Sequence, residues 1–489
     1  MNKPDAEAPH GPDAAPPRSP DAAPPRWPIP AFAAELGDIP FVDDPATVRL
    51  RSRDRFAISP MLRKLLHGKH ADIIVTPRDV AELQRVVRAA VKHRIPVTPR
   101  GGGTANFGQS VPLQGGILLN LTGLGGVLWQ RPGAVRAGSG ILMGTLDEAT
   151  RAEGWEQRIH PSTKRNSTLA GFISGGHAGI GSCAWGMLRD KGNVLGLQVM
   201  SMEAEPRLLE LRGPDIALVH HAYGTNALIT EIEMPTAPAF AWREVLVTFP
   251  GFAAAAGFAV ALGHEDGLVK KLVSIQEWPI PRLIQPFAAL VPEGHTLVNT
   301  IIAPHSMEGF SELVREHGGA IASDAAEEAG PYGAPLYEFS WGHSLLHIQK
   351  TEKSRTSVMG LFPGGGLLEA MLRVHEAFAG QAPMRLELER SEGLLGALGS
   401  PTLIYESEAQ MGAMVRTLTA CGVQVANSHS FNVKGVGVKQ LTAQDVAFKR
   451  EMDPHDLLNP GKLSFELTEE SEIGAKLPTG GWSFRKAAS

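Results

Sequence analysis

A chain of 489 residues, 43% hydrophobic and 20% charged, is long enough for more than one domain and has the balance of an ordinary globular protein. A formal net charge of −5 argues against a nucleic-acid partner, which would favour a basic stripe. No stretch of about 18 apolar residues predicts a membrane-spanning helix. Cys183 and Cys421 outline neither a disulfide framework nor a CxxC motif, which suits a reducing compartment such as the cytoplasm.

The start lacks the basic segment and apolar core of a secretory leader. Instead PDAAPPR occurs twice, at Pro12–Arg18 and Pro20–Arg26, a composition too poor in apolar surface to repay ordering. Residues 1–30 therefore read as a disordered tail, with a docking role for Trp27 as the lesser alternative, and residues 31–70 as a lead-in. From Ala71 the text becomes regular. ADIIV is a strand. TPRDVAELQRVVRAAVKHR is a helix, with Thr76 as its cap, Pro77 in the first turn and Asp79 completing a capping box. Leu83, Val86, Val87, Ala90 and Val91 form its buried face. IPVTP is the next strand, and RGGGTANFGQS (Arg100–Ser110) follows at once. Further strands are expected at GGILLNL, AVRAGSG, NVLGLQVMSM and NALITEIEMP, and a helix at LMGTLDEATRAEG. A boundary is placed near Ala237. Beyond it the pattern is α+β, with helices at FAAAAGFAVALG, SELVREHG, LLEAMLRVHEAFAG and EAQMGAMVRTLTACG and strands at TLVNTIIAP and LYEFSW. DPHDLLNPGKL is a compact turn, and the last residues look loosely ordered.

A glycine-rich loop after a strand commonly cradles phosphate, because successive backbone N–H groups form a concavity for anions. The GxGxxG fingerprint fails, since Asn106 stands at the third glycine. A P-loop reading of Gly103–Ser110 puts Gln109 where the phosphate lysine belongs, and Val111-Pro112-Leu113 starts a helix poorly. A turn with no ligand and a flavin pyrophosphate loop are the other readings.

The last of these is where a resemblance becomes specific. VTPRDVAELQRVVRAAVKHRIPVTPRGGGTANFGQS resembles the opening of the vanillyl-alcohol oxidase type (PCMH-type) FAD-binding domain, in the branch of glycolate oxidase flavoprotein subunits and D-lactate dehydrogenases. PSTKRNSTLAGFISGGHAGIGSCAWGMLRD resembles the second flavin segment of that family, YGTNALITEIEMP the third, and MDPHDLLNPGKL the C-terminal signature, all in the family's order. The resemblance implies an α+β chain: a two-subdomain FAD-binding domain at 71–240, a substrate (cap) domain at 241–440, a return to the FAD domain at 441–465 and a tail at 466–489. It implies an FAD site made of Pro99, Arg100, Gly101, Gly102, Gly103, Thr104 and Gln109 in the loop. Pro161, Ser162, Thr168, Ala170, Gly171, Gly175 and Gly179 belong to the second segment, with Ile229 on the adenine side and Asn459 in the last turn. Relatives that bind flavin covalently carry histidine where this chain has Thr104, so non-covalent FAD is expected.

The resemblance also implies where the cap's chemistry lies. Hydroxy-acid dehydrogenases of the family carry an HxGDGNxH-like segment and an EHG-like segment. WGHSLLHIQK and NSHSFNVKGVG stand at similar places, which makes His343, His347 and His429 candidates to take a hydroxyl proton. Histidines four apart face one way, and three imidazoles also suit a metal. Yet the Gly-Asp-Gly-Asn core is missing and Ser428 replaces the glutamate, so no metal site is assigned and a divalent ion is the less favoured use. Arg385, in PMRLELER, is the candidate for a substrate carboxylate. The implied function is hydride removal from a CH–OH group, most simply of a 2-hydroxy acid such as glycolate or lactate. An electron acceptor and possible partner subunits complete it. The alternatives are metal-free oxidation of an alcohol or phenol, and a flavin-binding subunit without a complete site.

Overall fold

The computed structural model describes residues 27–463. Residues 1–26 and 466–489, read above as tails, lie outside the described residues. Trp27 packs on the first sheet's core and donates its indole N–H to the Gln114 carbonyl at 3.1 Å.

Three sheets carry the chain. The first is four-stranded, in the order β1 (Phe41–Val42), β2 (Ile73–Val75), β4 (Ile117–Asn120), β3 (Val97–Arg100). β2 and β3 both pair parallel to β4. A parallel pair needs a crossover, and the Val80–Lys92 helix supplies it, with Leu83, Val86, Val87, Ala90 and Val91 all buried as their spacing predicts. Each of the leucine and valine side chains contributes about 1.5–3 kcal/mol when fully buried. The helix starts later than expected. Asp79 is its cap, accepting from Glu82 N at 2.8 Å, while Thr76 Oγ1 accepts from Asn120 Nδ2. Thr76 is thereby tied to the next strand, and Pro77 lies before the helix.

The second sheet runs β5 (Val127–Arg131), β6 (Ala134–Gly138), β10 (Leu228–Pro238), β8 (Gly196–Met200), β9 (Leu208–Leu211), and β7 (Trp155–Gln157) also pairs with β10. The third has eight strands. It contains β11 (Arg243–Phe249), β12 (Lys270–Gln276), β13 (Thr296–Ile302), β14 (Ala320–Ala326), β16 (Met359–Phe362), β17 (Met384–Ser391), β18 (Leu394–Pro401) and β20 (Gln424–Ala426), in the order β14-β11-β13-β12-β17-β18-β16-β20. A small ladder pairs β15 (Arg355–Thr356) with β19 (Leu403–Ile404). LYEFSW is not a strand: Leu336–Phe339 is a 3₁₀ turn leading into a helix at Trp341–Thr351. Its aromatic residues fill the core beside Phe287 instead of pairing edge to edge.

Strand alternation sets the two faces of the eight-stranded sheet. Met384, Leu386 and Leu388 join Val273, Ile275 and Phe249 under a layer made by the Phe252–His264, Met307–Glu316, Leu367–Ala377 and Glu408–Ala420 helices. Arg385, Glu387 and Glu389 must then point the other way. No described helix is long and apolar enough to cross a membrane.

Candidate active site

The loop after β3 is pressed against the second small-residue segment. A β-carbon on Gly101 would fall 1.9 Å from Thr168 Oγ1, and one on Gly102 would fall 1.7 Å from the Asn166 carbonyl oxygen. No other residue fits there. Gly103 has φ +66°, in the left-handed region that glycine enters freely. The N–H groups of Gly102, Gly103 and Thr104 make no hydrogen bond among the described residues. Thr104 Oγ1 lies 2.8 Å from Ser167 Oγ. Thr168 caps the Leu169–Gly175 helix by accepting from Gly171 N, which fixes the small residues facing the loop.

One large cavity joins these parts. Its walls include Pro99, Arg100, Gly101, Gly102, Gly103, Thr104 and Gln109 from the loop. Pro161, Ser162, Thr168, Ala170, Gly171, Gly175 and Gly179 come from the second segment, and Ile229 from β10. Asn459 is not on the wall. It acts from behind, donating Nδ2 to the carbonyls of Gln109 (2.9 Å) and Tyr223 (2.7 Å). Its own N–H reaches the Val97 carbonyl. The C-terminal turn thus clips the second half of the glycine loop to β3.

The eight-stranded half contributes His343, His429 and Arg385 to the same cavity. Arg55 Nη1 donates to His343 Nε2 at 2.5 Å. Arginine only donates, so the imidazole proton sits on Nδ1, which is buried without a partner. Ser59 Oγ lies 2.7 Å from His429 Nδ1, and His429 Nε2 is buried without a partner. Burial, reinforced by the Arg55 charge, pushes the His343 imidazole down to about 3. Burial pushes His429 down to about 4. Both are neutral near pH 7. Arg385 Nη1 donates to the Trp341 carbonyl (2.5 Å) and to Ser344 Oγ (2.9 Å), which ties β17 to the start of the helix bearing His343. Its Nε is buried and unpaired.

His347 is not brought to this cavity. It packs against Phe339 with the rings tilted by 37° and their centroids 4.5 Å apart, and lines a separate hollow with Glu338 and Lys350. One helical turn from His343 carries it past the cavity wall, and the two rings stand 6.3 Å apart. Among the described residues no three His, Cys, Asp or Glu side chains gather as a cation site.

The family model of an FAD binding domain matches residues 71–207, the span that holds the loop and the second segment. The chain is 20% identical over 428 residues to the glycolate oxidase subunit GlcD of Bacillus subtilis (strain 168), covering 80% of this chain and 88% of that one. It is 27% identical over 192 residues to the D-lactate dehydrogenase of Archaeoglobus fulgidus, but spans only 42% of that protein's length and 36% of its own. Among solved structures it shares its fold with an alkyldihydroxyacetonephosphate synthase at TM-score 0.66 and 16% identity, over 90% of this chain and 87% of the other. This chain is an FAD-dependent oxidoreductase.

The flavoenzyme's residues fit the cofactor. FAD brings two phosphate charges, and the unpaired N–H groups of Gly102–Thr104 can meet them without a lysine. No carboxylate from the loop or the second segment opposes them, since Glu387 on β17 is the lining carboxylate among the described residues. The glycines that a β-carbon would block leave a backbone surface on which a flat ring can rest.

Several residues at or behind the cavity wall carry no signal in the sequence. Arg55 and Ser59, which hold the two histidines, belong to a lead-in without any motif. Trp341 and His177 line the cavity inside segments that were read for other residues. Glu387 had a usable signal: in MRLELER the charges recur at every second position, so Glu387 had to share a face with Arg385.

Proposed function

We propose that this flavoenzyme oxidises the CH–OH group of a small 2-hydroxy acid, such as glycolate or lactate, with non-covalently held FAD. The observation that carries the reading is the convergence of Arg385, His343 and His429 on the cavity that contains the glycine loop. Arg385 meets the substrate carboxylate with the guanidinium edge not spent on Trp341 and Ser344. His343 offers Nδ1–H to the substrate oxygen, and neutral His429 faces the hydroxyl with Nε2. The buried wall excludes water, which strengthens each of these contacts. Bound FAD supplies the hydride acceptor. Thr104, at the position where covalent flavin attachment would need a histidine, leaves the cofactor free of a bond.

The likeness to a protein described as a glycolate oxidase subunit supports both the substrate class and partner subunits that pass electrons to an acceptor. Two free cysteines fit a cytoplasmic setting. The test is anaerobic mixing of the yellow holoprotein with glycolate, D-lactate or L-lactate. Bleaching of the flavin band by one of them is expected, with the chromophore remaining in the supernatant after acid precipitation. Bleaching by a 4-alkylphenol or a simple alcohol and by none of the hydroxy acids would overturn the substrate reading.

A further inference from the structure

Oxidising an alcohol releases a proton as well as a hydride, and neither histidine is suited to keep it. His343 has its accepting nitrogen occupied by Arg55, so it faces the cavity as a donor. Burial holds His429 below neutrality, so an added proton does not stay on it near pH 7.

We propose that Glu387 is the acceptor that carries this proton away. The inference rests on the reading of the cavity as the site of CH–OH oxidation. The O–H bond breaks, its electron pair becomes the second bond of the carbonyl, and the proton forms a new O–H at Glu387 Oε2. The two electrons of the C–H bond leave with the hydride, for which bound FAD is the acceptor.

The geometry is specific. Glu387 lines the cavity with Arg385, His343 and His429, and is 2% exposed. Oε1 accepts from Trp341 N at 2.6 Å, which fixes the carboxyl, while Oε2 is buried with no hydrogen bond of normal geometry, the Ser274 hydroxyl facing the carboxyl from β12. Arg385 and Glu389 flank it on its own strand, and Ser274 and Gln276 stand across from that face on β12. Cys183 approaches from the Ser182–Trp185 helix, and the histidines come from the Trp341–Thr351 helix and the loop after β20. Burial outweighs the Arg385 charge and pushes the carboxyl up to about 7. A base poised there is half available at neutral pH and becomes fully available above it.

A structural role is the rival, because Trp341 has φ +53° and its N–H is held by Glu387. Glu387→Gln separates the two: the amide oxygen can still accept from Trp341 N but cannot take up a proton. The holoenzyme, Glu387→Gln and Glu387→Asp are compared in anaerobic flavin reduction across pH 5.5–9, alongside infrared titration of the oxidised proteins. Reduction in the parent should rise with pH through a limb near 7. In Glu387→Gln it should fall about 100-fold, without the limb, with flavin content unchanged and KM little affected, and Glu387→Asp should recover part of the rate. The parent should also show a protonated-carboxyl band that titrates near pH 7 and is missing from Glu387→Gln. A parental pH limb retained in Glu387→Gln, or a carboxyl band untouched by the substitution, overturns the proposal. If no 2-hydroxy acid bleaches the parent, the substrate reading fails by itself, and the infrared band then decides for or against Glu387.

Discussion

The two walls of the cavity are made in opposite ways. The flavin wall is mostly backbone: Gly101 and Gly102 touch the second segment so closely that a β-carbon has nowhere to go, and the groups left to meet a ligand are N–H donors. The wall proposed to meet substrate is side chains: His343, His429, Arg385 and Glu387 come from a helix, a loop and a strand, and each is aimed by another residue. A site built of backbone constrains which residues can occupy it. A site built of side chains constrains only where a few of them end, so it can change its chemistry while the flavin wall stays fixed.

Substitutions on the two walls should therefore fail differently. Gly102→Val is expected to be the most severe. Its β-carbon would fall 1.7 Å from the Asn166 oxygen, so the loop must move. Overpacking of this kind costs about 1–3 kcal/mol, enough to weaken FAD about 10- to 100-fold and to yield a colourless protein on purification. The ratio of visible to ultraviolet absorbance checks it, and a fully yellow, active Gly102→Val protein would break the contrast between the walls. His429→Ala should do the reverse: full flavin content, with flavin reduction slowed about 10-fold by the loss of one hydrogen bond to the substrate hydroxyl. Loss of flavin from His429→Ala would show that the substrate wall also carries the cofactor.

The same contrast explains what could be read in advance. The Val80–Lys92 helix, the strands around it and the loop were legible because apolar spacing and glycine clusters are local signals. The placement of Thr76 as a cap failed because a side chain three residues upstream was claimed by Asn120 across the sheet, which local spacing does not report. LYEFSW departs from the expected strand because its aromatic residues suit a strand as well as a turn that fills a core. His343 and His347 sit four apart on a helix, yet the wall ends between them. Asn459 came from a recognisable turn, but its work, clipping the Gln109 and Tyr223 carbonyls, depends on contacts hundreds of residues away in sequence. Arg55 and Ser59 act through single contacts of the same long range.

Acid should expose a smaller effect that comes from buried titratable groups at and behind the walls. His221, whose Nδ1 lies 3.0 Å from the Gly176 carbonyl oxygen, and His429 are each pushed down to about 4, chiefly by burial. Their folded values lie below that of an unfolded histidine, so between pH 6.5 and about 4 the unfolded chain binds more protons, and stability falls as pH falls. Above pH 6.5 both states are neutral and the contribution is constant. At pH 5.5 each histidine lowers stability by about 1 kcal/mol. Glu387 and Glu244, both raised to about 7 by burial, act with the opposite sign: they stay protonated in the folded protein where the unfolded chain has ionised, so they favour folding as pH drops from 7 towards 4.5. Chemical denaturation at pH 7.5, 6.5 and 5.5 separates the two contributions. His221→Gln should make the acid loss shallower by nearly one proton. Glu387→Gln should make it steeper, because a stabilising protonation is removed while the histidines remain. If the two variants shift the slope in the same direction, the assignment of their charge states in the folded protein is wrong.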